Sequence, residues 1–107
     1  MKRGDIVTAA APGDFGKPRP ALVVQALFDL EPERVTLALI TSDLQRVPYL
    51  RIPVEPTPEN GLARPSEVAV DNIQTLAIRR VGEVIGQLDE ATMELVEDAI
   101  LRHFGLG

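Results

Sequence analysis

Gly16-Lys17-Pro18-Arg19-Pro20-Ala21-Leu22-Val23-Val24-Gln25 decides the reading of this chain. A loop rich in proline and glycine ends at one arginine between two prolines, and an apolar, β-branched run follows at once. Pro20 drives Arg19 out of helical geometry, and both prolines have a fixed φ, so the arginine backbone is stiff and extended. Residues 21–25 then read as a buried strand. An arginine held at a strand mouth offers a permanently charged planar fork that matches phosphate or carboxylate oxygens. Local physics equally allows a solvated turn arginine with no chemical task.

Outward from this stretch the same pattern repeats. Ile6 and Val7 open a first strand that fades by Pro12, and residues 12–16 form a loop with strong turn chemistry. Residues 29–33 make an acidic turn around Pro32, and residues 35–40 (V-T-L-A-L-I) a third strand that ends in Thr41-Ser42-Asp43. Leu50-Arg51-Ile52-Pro53-Val54 alternates as a short strand, with Pro53 marking an edge or an end. A long connection carrying the turn dipeptide Asn60-Gly61 leads to a fifth strand at residues 67–70, closed by Asp71. Val84-Ile85-Gly86 leads into a helix capped by Asp89, with Met93, Val96, Ile100 and His103/Phe104 on its buried stripe and Gly105 just past its end. Short strands with turn signals and one terminal helix predict a mostly β fold: a small, mainly antiparallel barrel with a C-terminal α-helix.

At 107 residues the expectation is one domain over residues 1–107. With three Phe, one Tyr and no Trp, the core must rest on Val, Leu, Ile and Ala. There is no cysteine, which excludes disulfides, thiol chemistry and cysteine-based zinc sites. No apolar run is long enough to cross a membrane, and Gly4-Asp5 stands after Lys2-Arg3 where a signal peptide would be apolar, so a cytoplasmic protein is expected. Of the net charge of −5, the C-terminal segment carries −4: Asp89, Glu90, Glu94, Glu97 and Asp98 against Arg102. The acidity belongs to the helix, on its solvent face. The near-neutral body argues against non-specific nucleic-acid binding but leaves room for a local basic groove.

Much chemistry is missing. The single histidine, His103, sits beside the helix stripe and reads as a half-buried edge residue, so no Ser/His/Asp set can be built. No His/Asp/Glu cluster has metal-ligand spacing, and no glycine-rich loop matches a nucleotide fingerprint. A polar set at strand ends remains: Arg19, Thr41, Ser42 and Asp71. Each has an ordinary turn or strand-end explanation. Together they offer one permanent cation, two hydroxyls and a carboxylate, an inventory for handling phosphate if the fold gathers them.

These residues fall within a wider pattern. K-R-G-D-I-V at the start, G-K-P-R-P-A-L-V-V after the first loop, L-I-T-S-D-L at the third strand end, N-G-L before the fifth strand, and V-D-N-I-Q-T-L then L-D-E-A-T-M-E-L-V-E-D-A-I follow in order over nearly the whole length. In these the chain resembles the MazF/PemK toxins, endoribonucleases of bacterial type II toxin–antitoxin pairs. The resemblance implies an SH3-like barrel with a terminal helix, a homodimer, a cognate antitoxin partner, and cleavage of single-stranded RNA, usually mRNA at a short sequence, with no metal and no cofactor. By motif, Arg19 matches the family's catalytic arginine, Thr41 its catalytic threonine, Ser42 an assisting hydroxyl and Asp71 an aspartate assigned to acid/base work in one branch. That branch has an arginine two residues before the aspartate, where this chain has Ala69. Gln74 is a candidate RNA contact. A positive path for RNA is expected around Lys17 and Arg19, with Arg79 and Arg80.

RNA chemistry suits this inventory. The 2′-hydroxyl is the substrate's own nucleophile, so the enzyme need only align it and stabilise charge on the phosphorus-bound oxygens. Two alternatives use related folds. A CcdB-like gyrase poison inserts a C-terminal tryptophan, but this chain has none and ends Phe104-Gly105-Leu106-Gly107. A degenerate member that binds antitoxin without cutting would not need Arg19 and Thr41.

Overall fold

The computed structural model describes residues 1–13, 16–27 and 32–107. Its order is β1 (Asp5–Ala9), β2 (Arg19–Val23), β3 (Arg34–Thr41), β4 (Arg51–Val54), β5 (Ser66–Ala77), a 3-10 turn (Ile78–Arg80), β6 (Val81–Gln87) and α1 (Glu90–His103). The strands form one antiparallel sheet in the order β4-β5-β3-β2-β1-β6. The expected mostly β architecture with a terminal helix is what the chain adopts.

The apolar runs are nearly continuous because both faces of the sheet are buried. Ile6, Leu22, Ala38, Ile40, Val68 and Val70 pack on one face under Met93, Val96 and Ala99 of α1. Val7, Ala21, Val23, Val35, Leu37 and Leu76 pack on the other. Alternation along β1, β2 and β3 sends successive residues to the two cores. The Asp5 carboxylate, only 4% exposed, accepts from the Lys2 backbone N–H at 2.9 Å and from Gln87 Nε2 at 3.2 Å, which ties β1 to β6.

The two edge strands, β4 and β6, do not pair with each other. The β4–β5 connection bridges them instead. Asn60, buried at the tip of that connection, accepts with Oδ1 from the Thr57 and Leu62 amides (3.0 Å each) and donates from Nδ2 to the Glu55 carbonyl at 2.8 Å. Gly61 follows at φ +70, a left-handed geometry natural to glycine. The Glu59 carbonyl then accepts from the Gln87 backbone at 2.9 Å, which curls the sheet toward closure.

Three elements differ in extent from the sequence expectation. The second strand begins at Arg19 and ends at Val23, rather than spanning residues 21–25. The fifth strand is not closed by Asp71: β5 runs twelve residues to Ala77. A bulge sets residues 69–72 against the single residue Leu39, since Ile40 pairs with Val68 and Ala38 with Ile73. Residues 81–87 are not merely a lead-in to the helix but a full strand on β1. In α1 the Asp89 cap is as expected, its carboxylate accepting the Thr92 amide at 3.0 Å. Ala99 rather than His103 or Phe104 completes the buried stripe. His103 is exposed, its ring edge-on to Phe104 at 5.2 Å, because the last helical turn extends into solvent. The predicted loop at residues 12–16 and turn at residues 29–33 fall partly outside the described residues.

Among the described residues no helix is long and apolar enough to cross a membrane.

Candidate active site

The sheet's register brings the two strand ends together. β2 pairs with β3 through Ala21↔Leu39, Leu22↔Ala38 and Val23↔Leu37. Continued by two residues, that register sets Arg19 level with Thr41, and residues directly opposite share one face. Both open into a cleft of about 590 Å³, with Ser42 beside them. Pro18 and Pro20 line the same wall, so the stiff proline–arginine–proline segment forms part of the site.

The Thr41 hydroxyl has a defined polarity. Its oxygen accepts the Asp43 backbone N–H at 3.0 Å. An accepted bond occupies a lone pair and leaves the O–H proton free to donate into the cleft. The Ser42–Pro48 loop behind it turns over Glu67, 3% exposed, whose carboxylate accepts the Gln45 and Arg46 amides at 2.8 and 3.0 Å. Arg46 takes a left-handed φ of 59° to bring that second amide inward. Glu67 is itself the β5 partner of Thr41, so the loop is fixed beside Thr41.

Arg19 is exposed, and among the described residues its guanidinium joins neither ion pair. Among the described residues, two further arginines line the cleft, Arg51 from β4 and Arg64 from the β4–β5 connection, against one carboxylate, Asp43. Even with Asp71 paired to Arg51, the described residues leave the site one positive charge in excess, although the whole chain is acidic. Glu90, Glu94 and Asp98 of α1 face solvent, and Glu97 pairs with Arg3.

The other sequence candidates are more scattered. Asp71 does not line the cleft. It is bound to Arg51, with Nε donating to Oδ1 at 2.8 Å and Nη2 to Oδ2 at 3.3 Å. These hydrogen bonds hold the Asp71 carboxyl below the usual aspartate range, with partial burial opposing. Gln74 lies outside the lining but donates to Asn72 Oδ1 at 2.8 Å, and Asn72 does line it. Lys17 is exposed one residue before Pro18. Arg79 and Arg80 belong to the 3-10 turn outside the lining, and Arg80 donates to the Ala10 carbonyl at 3.2 Å. Sequence reasoning missed Arg51, Arg64 and Asn72. For Arg51 a signal existed: the alternation of residues 50–54 turns it away from the buried Ile52 and Val54. Nothing comparable marked Arg64 or Asn72. Among the described residues no group of three or more carboxylate, histidine or cysteine side chains is placed to hold a metal ion.

Comparison with known proteins bears on this geometry. Residues 2–104 match the family model described as PemK-like, MazF-like toxin of type II toxin–antitoxin system. The chain is 39% identical over 108 residues to a probable endoribonuclease MazF of Mycolicibacterium smegmatis (strain ATCC 700084 / mc(2)155), covering 99% of this chain and 98% of that one. Among solved structures, the Mycobacterium tuberculosis toxin MazF-mt6 superposes with a TM-score of 0.82 at 30% identity, covering 96% and 98% of the two chains. A mycobacterial endoribonuclease in complex with its cognate antitoxin shares the fold at a TM-score of 0.78 and 23% identity, over 100% and 97%.

Proposed function

The chain belongs to the PemK-like, MazF-like toxin family of type II toxin–antitoxin systems and is a MazF-like endoribonuclease, and on that premise we propose that it cuts single-stranded mRNA at a short sequence through the RNA's own 2′-hydroxyl, without a metal ion. The 2′-hydroxyl gives up its proton to solvent as its oxygen attacks the adjacent phosphorus, and the bond from phosphorus to the 5′-oxygen breaks. The products are a 2′,3′-cyclic phosphate and a 5′-hydroxyl, the leaving oxygen taking up a proton. Arg19 neutralises charge on the non-bridging oxygens, Thr41 donates its free O–H to the same oxygens, and Ser42 assists. The observation that carries this reading is the register of β2 on β3, which sets Arg19 and Thr41 level at one cleft mouth.

In this reading residues 1–107 act as one domain, working as a homodimer in the cytoplasm. A separate antitoxin protein neutralises it by laying a segment over the cleft. Its carboxylates would meet the arginines that otherwise meet RNA phosphates.

The test incubates the purified protein with a defined single-stranded RNA and maps the ends. Cleavage should persist in excess chelator and leave cyclic phosphate and 5′-hydroxyl ends. An RNA with a 2′-deoxy residue at the cut should resist. Loss of activity in chelator with rescue by magnesium, or cutting of the deoxy substrate, would refute the mechanism. Light scattering reads the dimer, and addition of an antitoxin reads the competition.

A further inference from the structure

We propose that Arg51 is a second RNA-phosphate-binding cation of this cleft, and that Asp71 is a positioning residue that orients Arg51 rather than a group that transfers protons. The proposal rests on the endoribonuclease reading and extends it to residues on β4 and mid-β5.

The geometry is specific. Arg51 on β4 stands directly across from Ala69 on β5. Alanine leaves the space above it open, so the arginine side chain can lie over β5 toward position 71, the diagonal neighbour two residues on. There it meets Asp71 through two parallel N–H···O bonds. A guanidinium has five N–H groups in a fixed fork, so this pairing uses two and leaves three. Arg51 lines the cleft that holds Arg19, Thr41 and Ser42, whereas Asp71 does not. The carboxylate therefore grips the arginine from outside the cleft and leaves its remaining donors for a ligand within it.

The bulge in β5 makes this possible. With residues 69–72 set against Leu39 alone, β5 turns Asp71 toward β4 and Asn72 into the cleft. A regular strand would carry 69 and 71 on one face and 72 on the other without interruption.

Charge points the same way. Among the described residues, Arg19, Arg51 and Arg64 line the cleft, with Asp43 the one carboxylate in the lining. An RNA chain brings one phosphate per nucleotide, so a cut at Arg19 places neighbouring phosphates beside further cations. Arg51 is pre-ordered at 17% side-chain exposure, and binding then immobilises little additional freedom. A carboxyl held by such a pair is also a weak base, poorly matched to proton transfer near neutral pH.

The test uses the full chain and a single-stranded oligoribonucleotide containing the mapped cut sequence, made uncleavable by a 2′-deoxy residue at the cut. Binding is measured across a series of salt concentrations, and cleavage of the all-ribo form across pH. Arg51→Gln should bind at least about tenfold more weakly, and its slope of log K against log salt should be shallower by about 0.7, the change for one lost contact to a single strand. Cleavage should fall in step. Asp71→Asn keeps the Arg51 charge, so its salt slope should match the unmodified protein, while cleavage slows several-fold and both limbs of the pH–rate profile stay in place. If Arg51→Gln folds poorly, the double variant Arg51→Gln/Asp71→Asn restores a neutral hydrogen-bonded pair and should show the same shallower slope. An unchanged slope and affinity in the Arg51 variants would overturn the phosphate contact. Loss of one limb of the pH profile in Asp71→Asn would overturn the positioning role. An unmodified protein that neither bound nor cut the RNA would overturn this proposal together with the reading beneath it, whereas normal cutting with unchanged Arg51 variants would overturn this proposal alone.

Discussion

Gly86 of β6 lies directly on the backbone of Asn60: a β-carbon at position 86 would overlap the Asn60 carbonyl group and the neighbouring Glu59 carbonyl oxygen. Backbone atoms held by the Asn60 hydrogen bonds cannot step aside as a side-chain tip would. Gly86→Ala should therefore destabilise the protein by about 1–3 kcal/mol, the usual cost of overpacking, or pry the β4–β5 connection from β6. Urea unfolding midpoints measure this. A midpoint within error of the unmodified protein would mean that the connection yields freely and does not close the sheet.

Arg19→Ala should abolish RNA cleavage and growth arrest while leaving the unfolding midpoint nearly unchanged, since the side chain is exposed and outside the two ion pairs of the described residues. Arg19→Lys should recover little, because a point charge does not reproduce the planar fork. Initial rates on a mapped RNA substrate decide. Substantial cutting by folded Arg19→Ala would move the charge-stabilising role elsewhere in the cleft.

Thr41→Ala should slow cleavage by about a hundredfold, or about 3 kcal/mol of barrier, as for loss of one well-placed donor to a developing oxyanion. It also removes the acceptor for the Asp43 amide. Thr41→Ser keeps both functions and should lose much less. Equal rates for all three forms would leave this hydroxyl a turn-maker only.

Two carboxyls link stability to acid. Asp71, hydrogen-bonded by Arg51, and Asp89, hydrogen-bonded by Thr92, both titrate below the ordinary aspartate value of about 3.9. A folded-state value lowered below the unfolded one stabilises the fold fully above the unfolded value, and the gain is lost as pH falls through the folded value. Stability should thus be flat from neutral pH down to about 5 and decline below about 4. Asp71→Asn and Asp89→Asn should each flatten that decline in urea titrations. At neutral pH, Asp89→Ala should cost about 1 kcal/mol for the lost helix cap.

Much of the fold was legible because its signals are local. The β-branched runs at residues 21–25 and 35–40, the proline–arginine–proline entry and the Asp89 cap each carry their own chemistry, and the structure departs from them by a residue or two. The full length of β5 was hidden because Asp71-Asn72 reads as a turn dipeptide, and only pairing with β3 shows it to be a bulge inside one strand. Arg19, Thr41 and Ser42 were accessible from their motif. For Arg51 the alternation of residues 50–54 marked only a side chain turned away from Ile52 and Val54; its pairing with Asp71 depends on the β4–β5 register, a relation between residues twenty positions apart that no window of sequence contains. His103 was misplaced for a simpler reason: helical spacing marks a face, but not where the sheet beneath it stops.

The short strand β4 leaves one open margin on the molecule, and its proline determines what that margin can accept. The Leu50 carbonyl accepts the Val70 amide at 2.8 Å, so pairing alternates from there and turns the backbone groups of Arg51 and Pro53 outward. Neither outward position has an N–H to offer: Pro53 has none, and the Arg51 N–H already donates to the Val47 carbonyl at 2.8 Å. A foreign strand arriving alongside would find a template four residues long with no free outward donor. The protein can thus keep an unpaired strand edge in water without offering misfolded neighbours a template for a growing sheet.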